Sequence, residues 1–119
     1  KHTQAAELIV NYINNSPNAT NKHSLKWHAG QMYAAAGNNK KAIRYINKTF
    51  NVFYRWFGGE EGRQWYFFAK GTVAFIKNKR RQLERMIRLS HKSNLPGDNN
   101  VKELEKLLTN WGQPYDKAY

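Results

Sequence analysis

Apolar positions recur every three to four residues along most of the chain, the period of a helix with one face turned to a core. Over residues 3–15 they are Ala6, Ile9, Val10 and Ile13. That run ends at Asn-Asn-Ser-Pro-Asn, where Ser16 is steered out of helical geometry by Pro17. A second run over 22–36 carries Leu25, Ala29, Met32, Tyr33 and Ala36 and stops at Gly37. A third resumes over 39–55 with Ala42, Ile46, Phe50 and Phe53. Together the second and third predict an antiparallel helical hairpin spanning 22–57. Toward the other end Leu-Pro-Gly-Asp breaks the chain. Residues 99–111 then read as an amphipathic helix with Val101, Leu104, Leu108 and Trp111 on one side, Asn100 and Glu103 being spaced for a capping box.

The segment 65–93 admits two readings. Trp-Tyr-Phe-Phe-Ala-Lys-Gly-Thr-Val-Ala-Phe-Ile is rich in aromatic and β-branched residues and can be drawn as a β-hairpin turning at Lys70-Gly71. Alternation is poor, however, since Phe67 adjoins Phe68 and Phe75 adjoins Ile76, and the following 79–93 places Leu83, Met86, Ile87 and Ser90 on one helical face. A second helical hairpin over 60–93 is therefore expected. The reading as a whole is all-α, with five or six helices.

The stretch 24–50 resembles a tetratricopeptide repeat, a helix-turn-helix unit of about 34 residues with small and aromatic residues at fixed places. Gly30 falls on the small close-packing position, Tyr33 on the aromatic three residues later, Gly37 on the turn and Ala42 on the contact position of the second helix. Thr49 stands where a smaller residue is usual, and Trp27 sits one place after the usual aromatic. A degenerate copy is similar from Trp65 onward, with Gly71, Asn78 and Leu83 in the places of Gly30, Gly37 and Ala42. The resemblance implies helical hairpins stacked as a short α-α superhelix, flanked by the helices at 3–15 and 99–111 as caps. It further implies a concave groove lined by first helices, holding Trp27, His28, Gln31 and Ala35 from the first copy and Phe68, Ala69, Thr72 and Ile76 from the second. A variant of the family clamps a peptide's terminal carboxylate with Lys, Asn and Arg at these places, which this sequence lacks. An apolar or mixed protein partner fits such a groove better, the alternative being that the groove is filled by the N-terminal or C-terminal helix or by a second copy of the chain.

Stacked hairpins share a core at their junction. The junction here is Asn-Val-Phe-Tyr-Arg-Trp-Phe-Gly-Gly-Glu-Glu-Gly-Arg-Gln-Trp-Tyr-Phe-Phe, residues 51–68. Phe50, Phe53, Phe57, Phe67 and Phe68 are expected to form that core, which is favoured over a platform for stacking bases. Tyr54, Arg55 and Trp56 stay open between the interior and an exposed partner-binding site.

Composition changes the picture in one respect. Twenty Lys and Arg against eight Asp and Glu give a formal charge of +12, which attracts nucleic acid, anionic lipid or acidic protein. On a helical wheel Lys77, Arg81, Arg85, Arg88 and Lys92 form one stripe, and Lys41, Arg44, Lys48 and Arg55 a similar one on the preceding hairpin. The repeat resemblance puts both on a convex basic face, the alternative being a solvated face that keeps the protein dissolved. A length of 119 residues suits one domain with its own core. There is no cysteine, hence no thiolate chemistry, and no apolar run approaches the roughly 20 residues of a membrane span. The chain starts at Lys1, so an upstream segment such as a signal peptide is expected to have been removed or left out.

Catalytic and metal-ligating patterns are not found. His23 and His28 are five residues apart and do not share a helix face, while His2 and His91 have no ligand at a recognised spacing. Glu60 and Glu61 suit the start of a helix, and Gly58, Gly59 and Gly62 match no phosphate-binding loop. The expectation is a non-enzymatic protein-interaction or scaffold module without cofactor, with an anion-binding module contacting nucleic acid or anionic lipid as the alternative.

Overall fold

The protein, seen in a computed structural model that describes residues 1–93 and 99–119, is all-helical, with no strand among the described residues. Among the described residues eight helices follow in order: α1 (His2–Asn15), α2 (Lys22–Ala35), α3 (Asn39–Asn47), α4 (Val52–Phe57), α5 (Gly59–Ile76), α6 (Arg80–Ser93), α7 (Asn100–Thr109) and α8 (Tyr115–Ala118). The expected helical class and hairpins are observed, with more helices than the five or six expected. The Leu-Pro-Gly-Asp break falls at 95–98, outside the described residues. The chain forms two compact units, Lys1–Thr49 and Phe50–Tyr119.

In the N-terminal unit α2 packs against both α1 and α3. Small residues allow the close approach: a Cβ at Gly30 would lie 2.6 Å from Cγ1 of the fully buried Ile46. The α2–α3 turn is a Schellman motif, with Asn38 N–H donating to the Tyr33 carbonyl at 2.9 Å and Gly37 N–H to that of Ala34 at 3.0 Å. It requires the left-handed conformation at Gly37, φ 83°. The α5–α6 turn repeats the same two bonds: Lys79 N–H reaches the Ala74 carbonyl at 2.8 Å, and Asn78 N–H that of Phe75 at 3.0 Å. Asn78, at φ 63°, stands where the first turn has glycine.

In the C-terminal unit α5 is the central rod, packed by α4, α6 and α7. Gln64, Tyr66 to Ala69 and Gly71 to Phe75 are all buried, so α5 is covered nearly all round. A helix in that position is apolar on every side. This explains why its sequence lacks a clean stripe and passes for a strand. Gly71 lets α7 approach, since a Cβ there would come within 2.8 Å of Leu104 Cδ2 and 3.4 Å of Met86 Cβ. On α7 the buried side chains are Leu104 and Leu107, with Trp111 beyond the helix end. The expected capping box is corrected: Asn99 takes the N-cap place, Asn100 is already helical, and the cap has no side-chain hydrogen bond.

The largest correction concerns 39–57. The stripe Ala42, Ile46, Phe50, Phe53, Phe57 holds only if one helix runs through it. Instead α3 ends at Asn47, where Thr49 turns inward and its hydroxyl donates to the Ile46 carbonyl at 2.7 Å. Asn51 is extended (φ −152°, ψ 170°) and restarts the chain as α4, its Oδ1 accepting from Phe53 N–H at 2.9 Å. The helical register is lost across the break. Residues 50–57, expected to extend the first hairpin, instead belong with α5.

Candidate functional site

The residues assigned to a groove are mostly inside. Trp27 and Gln31 on α2 are buried, as are Phe68, Ala69 and Thr72 on α5. Thr72 satisfies its hydroxyl within the helix, donating to the Phe68 carbonyl at 3.0 Å, and the Gln31 Oε1 meets His28 Nδ1 at 3.2 Å. Of this set His28 is exposed, and Ala35 and Ile76 half-buried. Such residues offer a partner little surface as they stand.

The cationic residues are mostly outside. Arg81, Arg85, Arg88 and Lys92 on α6 are all exposed, diametrically opposite the buried Leu83, Met86, Ile87 and Ser90. From Arg81 to Lys92 the row runs along about 16 Å of helix at 1.5 Å per residue. Among the described residues no carboxylate is ion-paired with any of the four; the ion pair found there joins His91 to Glu105 at 3.4 Å. Lys77, expected in the same row, is exposed but caps the end of α5 before the turn, so it is not on α6. On α3, Arg44 is exposed and Lys41 half-buried, while Lys48 is the helix C-cap. Lys41 and Lys48 lie over the rings of Tyr33 and Tyr45, at 5.4 and 4.9 Å from the ring centroids. The second stripe ends there, because Arg55 belongs to α4 beyond the break. Its half-buried guanidinium sits 4.7 Å from the Trp56 ring centroid and 5.6 Å from that of Phe67.

The aromatic junction divides. Phe67 and Phe68 are core, at 2% and 7% exposure, and Phe50 is half-buried with its ring edge-on to Tyr66. Phe53 and Phe57, expected in the core, are corrected to the surface at 64% and 81% exposure. Trp56 at 65% and Val52 at 51% join them. Positions 52, 53, 56 and 57 form one side of α4, while Tyr54 and Arg55 are the more covered pair. The signal for this was present in the sequence: Asn47 and Asn51 bracket a break, and Asn51 is a strong N-cap type. Gly58 and Gly62 are explained by packing, since a Cβ on either would press on the Tyr54 carbonyl oxygen, at 2.8 and 3.1 Å.

The remaining polar candidates have structural partners. His23 Nε2 hydrogen-bonds the Thr49 carbonyl, and Glu60 and Glu61 stand exposed in the first turn of α5, where the helix dipole favours negative charge. No three His, Asp or Glu side chains gather as a metal site among the described residues. No helix among them is long and apolar enough to cross a membrane. Burial, reinforced by Tyr45 and Glu7, raises the Tyr33 phenol above its ordinary value of 10.0. No family model, curated protein or solved structure matches the chain.

Proposed function

We propose that the chain is a non-enzymatic binding module whose working surface is the cationic face of α6, taking a polyanion. The observation that carries this is the row Arg81, Arg85, Arg88 and Lys92, exposed and without an ion-paired carboxylate among the described residues. Like charges at this spacing on a helix repel by about 0.2–0.5 kcal/mol per pair. Arg81 also lies at the positive end of the helix dipole, in a first turn with no acidic residue. The fold thus carries a small cost that an anionic ligand would relieve. Duplex DNA serves as the probe. Binding should weaken with salt at a log-log slope of about −0.9 per phosphate neutralised. Arg85→Glu with Arg88→Glu should abolish it. Binding that ignores salt, or survives the double substitution, contradicts the reading.

A second reading is a tetratricopeptide-like module that binds a protein partner. It is supported by the two equivalent Schellman turns, whose hydrogen bonds recur at residue numbers 41 apart together with the close-packed Gly30 and Gly71. On this reading His28, Ala35 and Ile76 offer some surface as they stand, whereas Trp27 and Gln31 in one unit and Phe68 and Thr72 in the other would reach a partner only after the helices over them move. It is tested by whether amide protection along α2 and α5 changes when a candidate protein partner is added.

A further inference from the structure

The outward side of α4 has a cost and no internal reward. Val52, Phe53, Trp56 and Phe57 are each more than half exposed. A contiguous apolar patch held in water marks a docking surface. Position supplies the second fact. Tyr54 lies against Gly58 and Gly62, and Arg55 over Phe67, so α4 covers the N-terminal half of α5. Helix α6 runs back antiparallel, and Gln64 Nε2 of α5 donates to the Ser90 carbonyl at 3.4 Å. Arg88 and Lys92 flank Ser90. The apolar side of α4 and the cationic end of α6 therefore lie at the same end of the α5 rod. Among the described residues the charges at that end include Arg55, Arg63, Arg88 and Lys92, with Glu60 and Glu61 of opposite sign and His91 paired to Glu105.

We propose that this end of the C-terminal unit docks on an anionic membrane surface, with Phe53, Trp56 and Phe57 entering the interface and Arg88 and Lys92 meeting lipid phosphates. The proposal rests on the anion-binding reading for its charge and adds the aromatic face as the determinant of ligand class. Three occupants compete. A second copy would bury roughly 500 Å² per chain through these four side chains, reckoned from 150–250 Å² for a whole aromatic side chain. That is below the roughly 800 Å² per partner of a standard interface. A nucleic-acid strand would satisfy the cations but not the apolar patch: Val52 cannot stack, Phe53 and Phe57 lie ring to ring at 6.1 Å, and Arg55 occupies one face of Trp56. A bilayer needs no matching partner surface. It accepts Trp and Phe at headgroup depth and attracts cations beside them.

The test uses the full chain and vesicles of phosphatidylcholine with and without phosphatidylserine, with duplex DNA as a separate arm. The wild type should bind the phosphatidylserine vesicles more tightly and show a blue-shifted, brominated-lipid-quenchable tryptophan signal that Trp56→Phe removes. Phe53→Ser with Phe57→Ser should weaken vesicle binding by about tenfold or more while leaving DNA binding unchanged. Arg85→Glu with Arg88→Glu should abolish DNA binding and weaken vesicle binding. Vesicle binding indifferent to the aromatic substitutions, or DNA binding without vesicle binding, overturns the membrane proposal while the anion reading stands. Binding to neither probe overturns both. Self-association abolished by Phe53→Ser with Phe57→Ser also overturns it, because a second copy would then be the occupant.

Discussion

Asn78 holds a backbone conformation, φ 63°, that glycine adopts freely and other L-residues adopt at a cost. Its counterpart Gly37 shows what the turn demands. Asn78→Ala should therefore lower the urea midpoint by the equivalent of about 1 kcal/mol, and Asn78→Gly should leave it unchanged or raise it. The repeat alignment placed Asn78 on the turn from the sequence, since Asn is the next best residue for this geometry. Tyr33 illustrates what could not be read there. Tyr33 as a whole residue is 3% exposed, and burial, then Tyr45 and Glu7, push its phenol above the ordinary 10.0 against an opposing pull from Arg44. The folded state thus keeps a proton that the unfolded chain releases. This contribution is complete below the unfolded pKa near 10 and is lost as pH rises through the higher folded value. The gap in melting temperature between wild type and Tyr33→Phe should shift against the wild type above pH 10, and a constant gap would contradict the assignment.

Elements were legible where burial is one-sided. The cations of α6 fall opposite Leu83, Met86 and Ile87, as periodicity requires. Helix α5 was less legible, because three neighbouring helices cover it and erase the polar stripe. The α3–α4 break was not read, because the stripe from Ala42 to Phe57 is a good helical stripe. What overrides it is local hydrogen bonding by Thr49 and Asn51, which periodicity ignores. At this scale the charge on α6 makes a specific demand. Arg81 in the first turn opposes the dipole and repels Arg85, so Arg81→Glu should stabilise the fold by about 0.3–1 kcal/mol in thermal unfolding at low salt. The same substitution should weaken DNA binding. Such opposite movement of stability and binding is the signature of a residue kept for a ligand.

For the molecule as a whole, two helical units carry most of their apolar side chains inward, the large exposed ones among the described residues being Leu8 and Tyr12 of α1, Tyr119, and Val52, Phe53, Trp56 and Phe57 of α4. Of the candidate groove residues, Trp27, Gln31, Phe68 and Thr72 are buried, which the sequence did not show, because these types serve equally in cores and in binding sites and only burial separates the uses. Phe53, Trp56 and Phe57 of α4, unlike Tyr54, are not part of what holds the protein together. Equilibrium urea unfolding of Phe53→Ser with Phe57→Ser, set beside Phe67→Ala, tests it directly. The double variant should unfold within about 0.5 kcal/mol per site of the wild type, as surface substitutions do. Phe67→Ala should lose about 3–5 kcal/mol, as buried aromatics do. A loss of core size in the double variant would contradict the account and return Phe53 and Phe57 to the interior.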